Sequence, residues 1–191
     1  ISFNAISVDG DMSTNDSFIA LNGGKKIDPQ YLPIIKEGIN IVCKKLAMAI
    51  ARDGEGSNCL IEVKVDGARN DVDALKIARK ITSSSLVKTA IHGCDPNWGR
   101  IISAAGSADI DFNLNDVDLF IGEYQILSGG NLIDFDKEKI SFYIKSKMEG
   151  KYLISDKVEI IINLNNGKGT GKSWGCDLSK RYIEINSEYT T

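Results

Sequence analysis

Apolar residues recur at helical spacing at Leu32, Ile35, Ile39, Val42 and Leu46. With Asp28 as cap and Pro29 in the first turn, this stripe predicts a helix running to about residue 51. The stripe is expected to be core, and Lys36, Glu37, Lys44 and Lys45 its solvated face. Upstream, Ile6 and Val8 end a short strand, residues 9–16 form a turn rich in Gly, Ser, Thr, Asn and Asp, and residues 18–22 make a second strand. Downstream, residues 59–66 alternate Ile61, Val63 and Val65 with Glu62 and Lys64, the period of a half-buried strand.

Asn70, followed three residues later by Asp73, forms a near capping box, and Val72, Leu75, Ile77, Ile81 and Leu86 carry a helix up to a corner. At the corner Gly93 suits the left-handed position that ends a helix, Pro96 cannot continue one, and Asn97 can cap a short helix over residues 98–105. His92 and Trp98 are expected to pack and cap around it. Strands then follow at residues 117–121 and 124–127, a helix at 136–148, a β-branched strand at 157–163, and a last pair of strands at 174–177 and 181–186. The order is that of a mixed α+β fold with packed helices. No internal repeat or long linker interrupts it, so residues 1–191 form one unit, divisible at most into lobes of 1–108 and 109–191.

Composition narrows the function. A chain of 191 residues with 42% hydrophobic and 26% charged residues can bury one substantial core. Its net charge of -3 offers no basic field to a phosphate backbone, which argues against nucleic acid as a partner. Cys43, Cys59, Cys94 and Cys176 show neither zinc spacing nor a disulfide framework, as expected of a reducing, cytoplasmic setting. No apolar run reaches the roughly 20 residues of a membrane span. A single histidine leaves no multi-histidine metal site, and a Ser-His-Asp triad would have to use His92 with no evident partner. The segment GKGTGKS at residues 167–173 lacks the first glycine of a phosphate-binding loop, since residue 166 is Asn, and is expected to be a flexible hairpin turn. The chain opens at Ile1 inside a strand-like run, as an interior piece of a longer polypeptide would.

The segment Arg52-Asp53-Gly54-Glu55-Gly56 is unusual because carboxylates past a helix C-terminus meet the negative end of its dipole. Either Arg52 compensates them, or Glu55, held between glycines, is aimed at a positively charged substrate group.

Three blocks carry a family resemblance. KTAIHGCDPNWGRIISAAG at the corner, ISVDGDMSTNDS near the start and WGCDLSKRYIEINSEYTT at the end resemble, in order, segments of the ornithine acetyltransferase (bifunctional glutamate N-acetyltransferase) family, in its C-terminal beta chain. Met12 stands where the family has Thr or Cys, and Gly175 where it has Thr. The resemblance implies an N-terminal-nucleophile type of beta chain that pairs with an alpha chain, both cut from one precursor, in an αβ hetero-oligomer. It implies transfer of acetyl from N-acetylornithine to glutamate through an acetyl-threonine, in arginine biosynthesis in the cytoplasm. No cofactor or metal is implied, and acetyl-CoA is left open as a co-substrate. The family's substrate-binding glutamate matches Glu55, and its terminal motif brings in Asn186 and Thr191. No residue here matches the nucleophilic threonine, so the chain is expected to hold no catalytic residue of its own. A threonine-nucleophile amidohydrolase or aminopeptidase of the same fold, and a catalytically silent binding domain, are the alternatives.

Overall fold

The computed structural model describes residues 2–188. Its elements are, in order, β1 (Ile6–Ser7), α1 (Leu32–Arg52), β2 (Leu60–Ala68), α2 (Asp71–Thr82), α3 (Ser85–His92), α4 (Trp98–Gly106), β3 (Asp118–Ile121), β4 (Tyr124–Ser128), β5 (Asn131–Leu132), α5 (Lys137–Met148), β6 (Lys157–Asn163), β7 (Gly169–Cys176) and α6 (Lys180–Glu188). The seven strands form one mixed sheet in the order β1-β7-β2-β6-β3-β4-β5. β2 lies between β7 and β6, so strands from the two halves of the chain interleave.

Strand alternation decides which sheet face is dry. Ile61, Val63 and Val65 of β2 stand opposite Val158, Ile160 and Ile162 of β6, and Leu119 and Ile121 of β3 continue the row. Against this face pack Ile77 and Ile81 of α2, Ile91 of α3, Ile101 of α4, and Ile140 and Ile144 of α5, all buried. The opposite face is mixed, with a small apolar cluster in which Leu60 and Trp174 pack against Ala5 and Ala51. There the buried Glu62 carboxylate accepts a hydrogen bond from the Trp174 indole at 2.7 Å and pairs with Lys157 at 3.1 Å and Lys172 at 3.4 Å. Burial pushes the Glu62 carboxyl up, but the indole and Lys157 outweigh it and hold the group below its usual range.

Several helix ends follow their sequence signals. Asp28 accepts from the Gln30 amide at 3.0 Å, Asn70 from Asp73 at 2.9 Å, Asn97 from Arg100 at 3.2 Å and Asp136 from Lys139 at 3.0 Å. Other expectations are corrected. Residues 18–22 are not a strand: none of their backbone pairs with the sheet, and Phe18, Ile19 and Leu21 are 66%, 77% and 93% exposed. The apolar stripe of α1 is not core: Leu32, Ile39, Val42 and Leu46 are about half exposed, and the residues α1 buries are Ala47 and Ala51. The helix after Asn70 breaks at Ser83-Ser84, where the Ser84 hydroxyl caps α3 with Leu86 exposed in its first turn; Val72, in the first turn of α2, is exposed as well. At the corner Gly93 keeps φ at -79° and Cys94 takes the left-handed value of 53°. Residues 181–186 are helical. The Ser179 hydroxyl accepts from the Tyr182 amide at 3.3 Å, and Arg181 pairs with Glu184 one turn on at 3.1 Å.

The GKGTGKS segment is not a hairpin turn either. Gly169 to Ser173 lie inside β7, which pairs with β1 and β2 and not with β6. Its glycines let α2 lie directly on the strand: a Cβ at Gly169 would sit 2.2 Å from the Asn70 backbone, and one at Gly171 2.5 Å from the Leu75 amide. Strand follows where a phosphate loop requires a helix N-terminus. Gly169→Ala should therefore force α2 and β7 apart and lower unfolding free energy by about 1 to 3 kcal/mol in urea titration. Gly23→Ala, with open space around it, should shift the same curve by no more than about 0.5 kcal/mol.

Candidate functional site

The loop that follows α1 is built from below by Arg52. Its guanidinium pairs with the buried Asp156 at 2.5 Å and donates to the Ser57 hydroxyl at 2.8 Å and the Asn58 carbonyl at 2.9 Å. Arg52 thus closes the loop on itself, and it does not compensate Glu55. From the far side Asp177 holds the end of the loop. One of its oxygens accepts from the Asn58 and Cys59 amides at 2.6 and 3.0 Å, the other from the Asn58 side chain at 2.8 Å and from His92 Nδ1 at 2.9 Å. His92 therefore has an acid partner that sequence reasoning missed. Its hydrogen bonds among the described residues run to Asp177 and Asn58, and no serine hydroxyl joins them.

The two glycines of the loop are there for close approach. A Cβ at Gly54 would meet the Cys176 sulfur at 2.6 Å, and one at Gly56 would meet the Tyr182 amide of α6 at 2.8 Å. Gly56 also has φ of 67°, and its carbonyl accepts from the Ser179 hydroxyl at 2.7 Å. Between these anchors the exposed Glu55 side chain projects toward α6, where its carboxylate accepts a hydrogen bond from the Asn186 amide. The same amide donates to the Tyr182 carbonyl at 3.0 Å. Two of the three residues singled out from sequence, Glu55 and Asn186, are thus in contact although 131 positions apart. Thr191 lies outside the described residues.

Tyr182 and Asp9 were not foreseen in this role. The Tyr182 hydroxyl donates to Asp9 at 3.0 Å, which ties the N-terminal polar loop to α6. Burial first, then the hydrogen bond to Asp9 and the charges of Asp9, Glu55 and Asp11, push the phenol up to about 12. Among the described residues no Lys or Arg pairs with Asp9, Asp11 or Glu55, so the corner between loop and helix is negative and suited to a cation. Asp9 sits in one of the blocks that carried the resemblance, which was a usable signal. The half-buried Tyr182 was legible only as apolar docking surface for the tail.

No nucleophile emerges from the described residues around this corner. Burial pushes the thiols of Cys59 and Cys176 up, away from the reactive thiolate. A larger cleft of about 800 Å³ borders Asp9 and is lined on its other side by Lys76, Arg79 and Lys80 of α2, but neither Glu55 nor Asn186 reaches it.

Comparison with known proteins gives the family and the fold. A family model described as the ArgJ family matches residues 1–191. The arginine biosynthesis bifunctional protein ArgJ of Prochlorococcus marinus subsp. pastoris is 62% identical over 190 residues, covering 100% of this chain and 47% of the relative. The corresponding protein of a Nostoc species is 49% identical over 196 residues, covering 100% of this chain and 48% of the relative. The chain spans about half the length of the curated relatives it matches. The crystal structure of the arginine biosynthesis bifunctional protein from Bacillus halodurans superposes with a TM-score of 0.90 at 41% identity, covering 98% of this chain and 87% of that one.

Proposed function

The chain belongs to the ArgJ family, and from that premise we propose that it is the substrate-binding share of a glutamate N-acetyltransferase of arginine biosynthesis, equivalent to the beta chain. The contact of Glu55 with Asn186, next to the Tyr182–Asp9 bond, carries this reading, because it brings segments far apart in sequence to one negative corner. A cationic amino-acid side chain fits there. In the proposed reaction Glu55 receives the free ammonium of N-acetylornithine, Asn186 orients the bound substrate, and Thr191 completes the binding set.

The nucleophile is assigned to a threonine outside this chain, since no residue here matches it. Its hydroxyl attacks the acetyl carbonyl, its own amine takes the proton and passes it to the departing ornithine nitrogen, and an acetyl ester remains. The amine of glutamate then attacks that ester, N-acetylglutamate forms, and the hydroxyl is restored. No resident cofactor is required by this sequence, and acetyl-CoA would enter only as a second acetyl donor.

A two-chain organisation through self-cleavage, with an alpha chain as partner and a cytoplasmic heterotetramer as the working form, belongs to the same proposal. The lengths support it: this chain covers about half of the curated relatives but 87% of the solved Bacillus chain, as it would if the family's product were two chains. No helix among the described residues is long and apolar enough to cross a membrane.

The test is to follow release of ornithine from N-acetylornithine with and without glutamate. This chain alone should release none, and the chain assembled with the segment completing the family's length should release ornithine only when glutamate accepts the acetyl group. Release without glutamate would favour an amidohydrolase, and turnover by the chain alone would overturn the division of roles.

A further inference from the structure

On α1 the stripe of Leu32, Ile35, Ile39, Val42 and Leu46 repeats every three and four residues, the 3.5-residue period by which one helix is seated on another. It faces away from the sheet. The sheet side of α1 is the small one, where Ala51 packs with Leu60 and Trp174. Helix α1 therefore has two faces: alanines that let it lie close to its own sheet, and branched aliphatics of which Leu32, Ile39, Val42 and Leu46 stay about half exposed. Ile50 extends the exposed band past Leu46, and Phe18, Ile19 and Leu21 in the stretch leading to α1 are exposed as well. An uncovered apolar surface of this kind marks an interaction site.

We propose that this stripe is the seat of a helix from the half of the family's polypeptide that lies outside this chain. The inference rests on the two-chain reading above and deepens it by naming the surface. Two observations choose the occupant. The curated relatives carry about as much again of chain as the stretch matched here, enough for a whole partner domain. The residues flanking the seam are Lys36 on one side and Lys45 on the other, with no acid at the equivalent flanking positions Gly38, Cys43 and Ile50. A second copy of α1 would offer the same two lysines with Gly38, Cys43 and Ile50 along the seam, and so no acid to meet them. The occupant is thus an apolar helical face flanked by Asp or Glu.

The surface is testable in the assembled protein, this chain together with the segment completing the family's length. A photo-reactive phenylalanine analogue placed at Leu46 should cross-link to the other half, at a segment with apolar residues at helical spacing and acidic neighbours. Cross-linking to a second copy of this chain, or to nothing, would overturn the proposal. In parallel, Ile39→Asp with Val42→Asp should weaken association of the two halves by about 10-fold or more, because each removes buried aliphatic surface from the seam. Both positions are exposed in the chain itself, so its own unfolding curve should stay where it was, and unchanged association would overturn the proposal. The acetyl-transfer assay on the same preparation separates the two ideas: a cross-link without transfer keeps the seat and removes the reaction, and transfer without a cross-link does the reverse.

Discussion

Replacing Asp177 by alanine should lower the unfolding free energy of the protein by about 3 to 5 kcal/mol, as expected when one member of a buried, multiply bonded polar group is removed. The Asp177 side chain is fully buried, and it is the acceptor for two backbone amides, one side-chain amide and one imidazole nitrogen. Alanine would leave the Asn58 and Cys59 amides facing a hole, each deprived of a partner in a place water reaches poorly. The change is not confined to stability. Asn58 ends the loop that begins at Arg52, and Glu55 lies between them, so loosening Asn58 frees Glu55 from its approach to Asn186. Urea unfolding followed by tryptophan fluorescence reads the first effect, and acetyl transfer at temperatures well below unfolding reads the second. A loss below about 1 kcal/mol would mean that water substitutes for the carboxylate and that the loop is held by Arg52 alone.

Asp177 also marks where sequence reasoning stops. Its block was visible, yet nothing in the letters says that this carboxylate reaches back 119 positions to the amide of Asn58. Regular elements with their own local signals were legible: the Asn70 and Asn97 caps, the period of two in β2, and the β-branched run that became β6. Elements whose state depends on distant contacts were misread. The terminal segment 181–186 alternates enough apolar residues to pass for a strand, but its Ser179 cap and its packing on Gly56 make it a helix. The glycines of GKGTGKS suggested flexibility, whereas the proximity of α2 makes them a requirement of packing. The stripe on α1 was expected to be core and is about half exposed, because periodicity reports that a face is apolar and not which surface, if any, of the same chain covers it.

Glu55→Gln is the change on which the reading of the site depends most. The substitution keeps the shape of the side chain and an oxygen that can still accept from the Asn186 amide, so the geometry of loop and α6 should persist. What disappears is the negative charge. Glu55 is exposed and bonded to no cation among the described residues, so loss of that charge should shift unfolding by no more than about 0.5 kcal/mol. Were the carboxylate merely a surface group, turnover would be equally indifferent. If it receives the ammonium of ornithine, a charge-assisted hydrogen bond in a site closed by substrate is lost. Such bonds contribute about 1.5 to 3 kcal/mol, which is a fall of roughly 10-fold to 150-fold in kcat/KM for N-acetylornithine. The half-reaction with glutamate, whose side chain carries the opposite charge, should fall less. Purified Glu55→Gln enzyme with wild-type kinetics in both half-reactions would return Glu55 to the surface. An equal fall in both would move its role from the ornithine side chain to the amine of the catalytic threonine.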